Sequence, residues 1–488
     1  MKSIFKRNQS TTKAEADTVT SPASSTIDTN AVPNSIPAEL TTRQALLPLI
    51  LVMILFFLCG FSGGLTQVLN KKFQEVLHLT ELQSTGLQIS FFAAFVVGPP
   101  TFSGWLLRRV GYRWTFSAGL ILFAIGTLCF WPSGKFKSFA GFCVSAFIGG
   151  TGVATINTAA FPYLSICGPE KYAEMRTNLA EAVQGGANVV ALVIAGFVIM
   201  NDAPSGALRE ESTSLDSVQW VYLALGLSTL LLGLITPFMP IPEISDADLE
   251  EIKRQRRAAK GEDVISEEKS IWKHHRLFFA IFAAFCWNGV QSGVGTFFIN
   301  YAVEVKPSMS DKTAAHRLAL GQGLYAAGRF IATFALAKVK PRYILLGSAT
   351  GVLACLSAAM GAKGNAGLAM LNVELFVKSC FFPTLFAGAI KGLGKHTKTA
   401  SGLLIATIGA GMVFPPAMGA AADKLGTQRA LFVPLIGVLL AASYPIYLNL
   451  REGMCFGGEH HGDDRCISGH DGEVEVEKGG LQATVTEK

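Results

Sequence analysis

The chain has 488 residues, half of them hydrophobic and only 16% charged, with 34 Phe, 50 Gly and a mean hydropathy of +0.39. A water-soluble domain carries roughly 25% charged residues, so this composition excludes an ordinary soluble protein. The net charge of +6 is scattered in short basic patches between apolar runs rather than gathered into one stripe, which excludes a nucleic-acid partner.

Runs such as 46–58, 91–107 and 432–448 hold almost no charge, and a bilayer-spanning helix needs about 20 such residues. Two end segments differ: 1–45 is rich in Ser, Thr and Ala, and 450–488 in Gly, His and acids. Both read as solvated tails. The stretch between them accommodates twelve helices of about 20 to 25 residues with short loops, and ten or eleven would also fit. No apolar core lies near the start of 1–45, so the first span itself is expected to target the chain.

In chain order the hydropathy pattern predicts spans at 46–69, 84–107, 114–132, 139–166, 177–200 and 218–238, making an N-terminal bundle over 46–238. A charged linker follows at 239–276, with Lys253, Arg254, Arg256 and Arg257 within it. A C-terminal bundle over 277–449 contains spans at 277–301, 316–337, 343–361, 366–390, 399–421 and 430–449. The expected fold is an all-α polytopic membrane protein with twelve transmembrane helices in two pseudo-symmetric bundles of six. Loops with Arg108, Arg109 and Arg113, with Lys171 and Arg176, with Lys338, Lys340 and Arg342, and with Lys391, Lys395 and Lys398 alternate with less basic or equally basic ones. The basic linker tips the balance, placing both tails and the linker in the cytoplasm by the positive-inside rule.

The halves echo each other. Gly104, then Arg108, Arg109 and Gly111-Tyr112-Arg113, has a counterpart in Gly328, then Lys338, Lys340 and Pro341-Arg342-Tyr343. Phe161-Pro162-Tyr163 opens a stretch ending in Arg176-Thr177-Asn178, and Phe382-Pro383-Thr384 opens one ending in Thr399-Ala400-Ser401. Repeated six-helix halves are the plan of transporters, with the substrate site near the midplane between them.

These pieces, together with Lys391 to Lys398, Pro415 to Gly419 and Asn157 to Tyr163, resemble the fucose permease branch of the major facilitator superfamily, especially its fungal hexose-transporter-like members, over residues 46–449. The resemblance implies a major facilitator fold, a small-molecule substrate such as a monosaccharide, a lipid bilayer and, in coupled members, protons as partners. It also implies that the residue matching Asn178 helps to bind sugar. The proton-coupled fucose permease has an Asp matching Gln67 and a Glu matching Asn157, and sugar-transporting relatives have a Glu matching Gln291. Each acid is an amide here. An amide keeps hydrogen bonding and loses proton exchange, which puts the family's usual coupling route in doubt.

On the fifth span Asn178, Glu181, Gln184 or Gly185, and Asn188 recur at spacings of three and four, on one helical face too polar for lipid. Gln67, Asn157, Asn178, Gln184, Asn188 and Gln291 are therefore the candidate substrate ligands. For Glu181 two readings stay open: a relocated proton carrier, or a charge paired with Arg176 of its own helix. Glu374 and Lys378, four apart on the tenth span, are read as an intramembrane ion pair. Arg329, one turn from Tyr325, is read as structural ahead of an anion contact. Trp287, Tyr301, Phe381 and Phe382 are packing residues first and sugar-stacking candidates second. Gly104, Arg108, Arg109 and Arg113 are candidate gating residues, with positive-inside anchoring an even alternative.

Nine cysteines fall singly, without disulfide or zinc spacing, and His460, His461, Cys466 and His470 lack a ligand pattern, so no metal or other cofactor is expected. No phosphate-cradling loop or nucleophile elbow is present, which removes an ATP-driven pump and a membrane enzyme. The reading is a secondary transporter of a polyhydroxylated solute, multi-pass in the plasma membrane. Alternatives are an exporter of a small specialised metabolite and a nontransporting nutrient receptor on the same fold.

Overall fold

The computed structural model describes residues 42–76, 81–136, 138–200, 212–239, 241–259 and 270–454. Among these every regular element is helical: α1 (Thr42–Val76), α2 (Glu81–Val97), α3 (Gly104–Lys135), α4 (Phe139–Ile166), α5 (Ala173–Met200), α6 (Ser212–Ile235), α7 (Asp246–Ala259), α8 (His275–Val305), α9 (Asp311–Ala335), α10 (Pro341–Gly361), α11 (Gly364–Lys378), α12 (Phe381–Ile390), α13 (Thr397–Ala406), α14 (Phe414–Leu425), α15 (Thr427–Ala430) and α16 (Phe432–Met454). Among the described residues seven helical stretches are long and apolar enough to cross a membrane, and Pro48–Gly64 and Leu223–Phe238 are shorter apolar ones.

Local chemistry sets the boundaries. The helix α4 occupies the expected 139–166 because the Ser138 hydroxyl accepts the Gly141 N–H at its start and Gly168-Pro169 follow its end. Elsewhere proline reshapes the spans. The predicted second span, 84–107, ends as α2 at Val97, passes through a wide turn at Pro99–Ser103 and runs straight on into α3. The loop expected at 108–113 is only an elbow at Gly111, with φ 83° and ψ −172°. The tenth span divides at Ser379-Cys380 into α11 and α12, since Pro383 has no N–H to give the Ser379 carbonyl. The eleventh divides into α13, a tight turn at Thr407–Met412, and α14, ahead of Pro415-Pro416.

Within the first half α3 packs on α4 and α6, and α1 lies along α5. That last approach needs glycine: a Cβ on Gly60 would sit 2.0 Å from the Gln184 carbonyl oxygen. In the second half α8 packs on α16, α10 on α11 and α16, and α9 on α11. The halves meet through α5 and α9, α5 and α12, α4 and α13, and α2 and the 407–412 turn.

The linker is a strap. Ile241 and Ile244 are buried, and the Glu243 carboxylate takes the N–H groups of Tyr112 (2.7 Å) and Arg113 (2.8 Å), capping the helix that restarts after Gly111. Gly111 is required there twice over, by its positive φ and because a Cβ would meet Glu243 Oε2 at 2.3 Å. The strap then continues as α7, started by a reciprocal pair in which Ser245 Oγ accepts from Asp248 N–H and Asp248 accepts from Ser245 N–H.

Inside the second half Lys378 Nζ lies 3.0 Å from Glu374 Oε2 on the same helix, with side chains 1% and 0% exposed. Glu374 Oε1 is buried without a partner. Removing one member of such a pair strands a charge, at about 3–5 kcal/mol, whereas replacing both leaves an apolar contact. Glu374→Leu should therefore lower the melting temperature of the purified protein sharply, and Glu374→Leu combined with Lys378→Leu should recover most of the loss; equal melting of single and double variants would contradict the pairing.

Candidate functional site

The helix α5 carries the polar face predicted from its sequence, and depth along the helix divides that face in two. Its first turns lie at the end of the bundle where the linker attaches. There Asn178, 0% exposed, donates from Nδ2 to the Glu174 carbonyl (2.8 Å) and across to Thr384 Oγ1 on α12 (2.9 Å). Thr177 Oγ1 reaches the Pro383 carbonyl (3.3 Å). Asn178 is thus part of the contact between the halves here rather than a group open to solute, and its Oδ1 is buried without a partner.

One turn further on, Glu181 is buried and meets Arg329 of α9, not Arg176. Arg329 Nη2 lies 2.6 Å from Glu181 Oε2 and 2.6 Å from the Tyr325 hydroxyl. Its Nη1 donates to the Glu181 backbone carbonyl (2.9 Å), and its Nε to the Ser379 carbonyl (3.2 Å). The guanidinium also lies over the Tyr325 ring, 4.3 Å from its centre. Arg176 is used up differently: Nε, Nη1 and Nη2 donate to the carbonyls of Leu164, Pro169 and Ser165 at 2.7, 2.7 and 3.0 Å, tying α5 to the end of α4. Pairing of Glu181 with Arg176 is therefore corrected. Five residues apart they lie on different faces of the helix, while Arg329 faces Glu181 across the interface.

Above this layer the amides are free of protein partners. Gln184 and Asn188 on α5 and Gln291 on α8 are partly exposed and make no hydrogen bond among the described residues. Asn157 on α4, 7% exposed, likewise makes none. Asn188 lies beside Gly63 and Gly64 of α1, the helix that also carries Gln67. The Gln67 side chain falls outside the described residues, as do His460, His461, Cys466 and His470. One turn from Gln291, Asn288 Nδ2 donates to Thr407 Oγ1 (3.0 Å), fixing α8 to the turn at 407–412.

The aromatic candidates serve packing in this structure. Trp287 stacks on Phe381 at 3.7 Å, Phe382 and Phe386 flank Phe161 from the opposite half, and the Tyr301 hydroxyl donates to the Ala359 carbonyl. Among the gating candidates, Gly104 is buried at the start of α3 and Arg108 Nη1 donates across to Thr399 Oγ1 (2.9 Å). Arg113 pairs with Glu243 at 3.5 Å, and Arg109 is exposed.

Sequence reasoning did not find the charged rim of this closure. Glu174 pairs with Lys391 (2.5 Å), Asp246 with Lys398 (3.1 Å), and Glu250 accepts the Lys395 N–H (3.3 Å). Ser401 Oγ donates to the Thr158 carbonyl (2.8 Å). Among the described residues, the hydrogen bonds and ion pairs between the halves all lie toward the linker end. The arrangement is two bundles shut at one end over a charged bridge, with unpartnered amides behind it.

Comparison with known proteins matches this architecture. A model of the Major Facilitator Superfamily matches residues 52–414. The chain is similar to a glucose/galactose transporter of Brucella abortus (strain 9-941), 30% identical over 396 residues that cover 80% of this chain and 91% of that protein. It is also similar to the L-fucose-proton symporter of Escherichia coli K12, 29% identical over 398 residues, covering 79% and 89%. Among solved structures, FucP in the outward conformation superposes with a TM-score of 0.70 at 26% identity, covering 83% of this chain and 99% of that one. The proton:xylose symporter XylE shares the fold, with a TM-score of 0.62 at 14% identity over 84% and 96% of the two chains. With an all-helical fold and a family model matched over residues 52–414, most of its length, the chain belongs to the Major Facilitator Superfamily.

Proposed function

We propose that the chain carries a monosaccharide across a membrane by rocking its two halves about the amide layer formed by Gln67, Asn157, Gln184, Asn188 and Gln291. The observation that carries this reading is that the described amides of that layer have no protein partner, while Asn178, Glu181 and Arg329 beneath them bond across the halves. An amide offers two donors and two acceptor lone pairs, which suits the paired hydroxyls of a sugar ring. Gln184, Asn188 and Gln291 are partly exposed, so their donors and acceptors are open to a polar ligand or water. Relatives described as a glucose/galactose transporter and an L-fucose-proton symporter support the hexose class. Membership of the Major Facilitator Superfamily and relatives described as transporters support a transporter and not an enzyme.

Orientation follows from the charge of the linker end. Lys and Arg of the basic linker and of the loops around Arg108, Lys171, Lys338 and Lys391 place that end in the cytoplasm. Both tails are then cytoplasmic, the two bundles span 46–238 and 277–449, and the structure corresponds to an outward-facing state. We assign the protein to the plasma membrane, where such a state receives external solute.

Uptake of radiolabelled D-glucose, D-galactose and L-fucose by a transporter-deficient cell tests the substrate class; no uptake of any of the three with normal surface expression would overturn it. Gln184→Leu and Asn188→Leu should each weaken apparent affinity about tenfold, since an unmade buried hydrogen bond costs about 1–3 kcal/mol. Asn178→Leu should instead alter the maximal rate, because it breaks the contact with Thr384; an affinity loss confined to Asn178 would reverse the two roles. Tags at either terminus should be protected from external protease in intact cells, and cleavage at either end would refute the orientation.

A further inference from the structure

Among the described residues two intramembrane carboxylates, Glu181 and Glu374, are buried, and they differ in one respect. Glu374 pairs with Lys378 on its own helix, so the pair moves as a unit with the second half. Glu181 belongs to the first half and its partner Arg329 to the second. The Arg329 guanidinium makes contacts to α5, to Tyr325 and to the Ser379 carbonyl at once, one turn from Gln184, and both side chains of the pair are about nine-tenths buried. We propose that the Glu181–Arg329 bridge is the proton-operated latch of the transporter: a proton on the Glu181 carboxylate opens the linker end, and its loss closes it. The inference rests on the transport reading above.

The reasoning is electrostatic. While Glu181 is ionised, the bridge is neutral overall and can stay dry between the halves. A proton arriving by the far side forms an O–H bond on the carboxylate and cancels its charge. The guanidinium then remains as an uncompensated cation in a dry interface, a state far costlier than either the intact pair or a hydrated cation. Water relieves it, and parting of the halves at the linker end admits that water. Once that end is open, the proton leaves from Glu181 to the linker side and the restored carboxylate draws Arg329 back. The sign is fixed: low pH on the far side favours opening, and the latch holds as pH rises.

Among the described residues, no other charge on the packed elements competes for Glu181. From α9 come Arg329 and Tyr325, and behind Tyr325 stand Glu374 and Lys378, already paired. Cys380 lies at the break before α12, and Cys59 on α1 is buried. On α4 Tyr163 is buried, with Cys167 just beyond its end. On α5 itself Glu174 is held by Lys391, and Arg176 by three carbonyls. The coupling role thus needs no acid at 67, 157 or 291.

The test uses the full chain in lipid nanodiscs and proteoliposomes. Spin labels at Lys171→Cys and Lys338→Cys, exposed on opposite halves at the linker end, are placed in a background with the native cysteines replaced. The label distance should lengthen as pH falls in the otherwise unaltered protein. In E181Q the long distance should dominate at every pH. E181Q should also lose accumulation of D-galactose under a proton gradient while keeping counterflow exchange. E181Q/R329Q removes both charges, guards against misfolding of the single variant, and should likewise show no response to pH. Gradient-driven accumulation by E181Q, or a distance in the parent protein that ignores pH, would overturn the latch. If no protein moves galactose or any other hexose, the substrate reading fails on its own; the pH response of the distance, present in the parent and absent in E181Q, would still establish the latch.

Discussion

Inside a bilayer a backbone carbonyl without its helical N–H must find another donor within the protein. Two prolines impose that requirement at equivalent places in the two halves. Pro162 leaves the Thr158 carbonyl without its helical partner, and Pro383 does the same for Ser379. Each freed carbonyl is met by a side chain: Ser401 donates to Thr158 from the opposite half, and Arg329 donates to Ser379 while holding Glu181. The repeated Phe-Pro pair therefore supplies the sockets into which the interface is plugged. The phenylalanines fill the space beside them, with Phe161 against Phe382 and Phe386.

A second constraint acts where helices turn. Gly111 and Gly426 both have φ near +84°, at 83° and 84°, and each is followed by a helix start whose N–H groups need an acceptor. Glu243 serves the first and Glu304 the second, the latter accepting from Thr427 (2.5 Å) and Gln428 (3.2 Å). Both glycines stand seven positions after another glycine, Gly104 and Gly419. The same solution serves two different turns. At Gly111 the acceptor comes from the linker, so the strap that crosses to Lys395 and Lys398 is fastened to the first half by the cap of α3.

Much of this is legible in the amino-acid sequence. The span predicted from hydropathy at 139–166 coincides with α4, and the polar face of α5 follows from spacings of three and four. The Glu374–Lys378 pair follows from i,i+4 geometry alone. What periodicity cannot supply is depth and partner. Asn178 and Asn188 share a face, yet one lies in the closure and the other in the open layer, because they sit nearly three turns apart along an axis that the spacing does not anchor. Glu181 invited pairing with the cation nearest in sequence, whereas its partner is 148 positions away. Proline breaks were visible as residues, but which donor would claim each freed carbonyl depends on packing between halves.

Conformational coupling in a two-bundle transporter can use only contacts whose members belong to different bundles. Contacts inside one bundle ride along unchanged, however strong they are. That criterion sorts the polar residues more sharply than burial does. Glu374 with Lys378, Arg176 with the end of α4 and Tyr301 with Ala359 hold a half together. Asn178 with Thr384, Arg108 with Thr399, Glu174 with Lys391 and Glu181 with Arg329 join one half to the other. Arg108 and Lys391 lie near water, where solvent screens and replaces such contacts at little cost. Glu181 and Arg329 are dry, so their separation requires water or a change of charge. That pair is therefore the contact between the halves that solvent can least replace, one turn from Gln184 on α5.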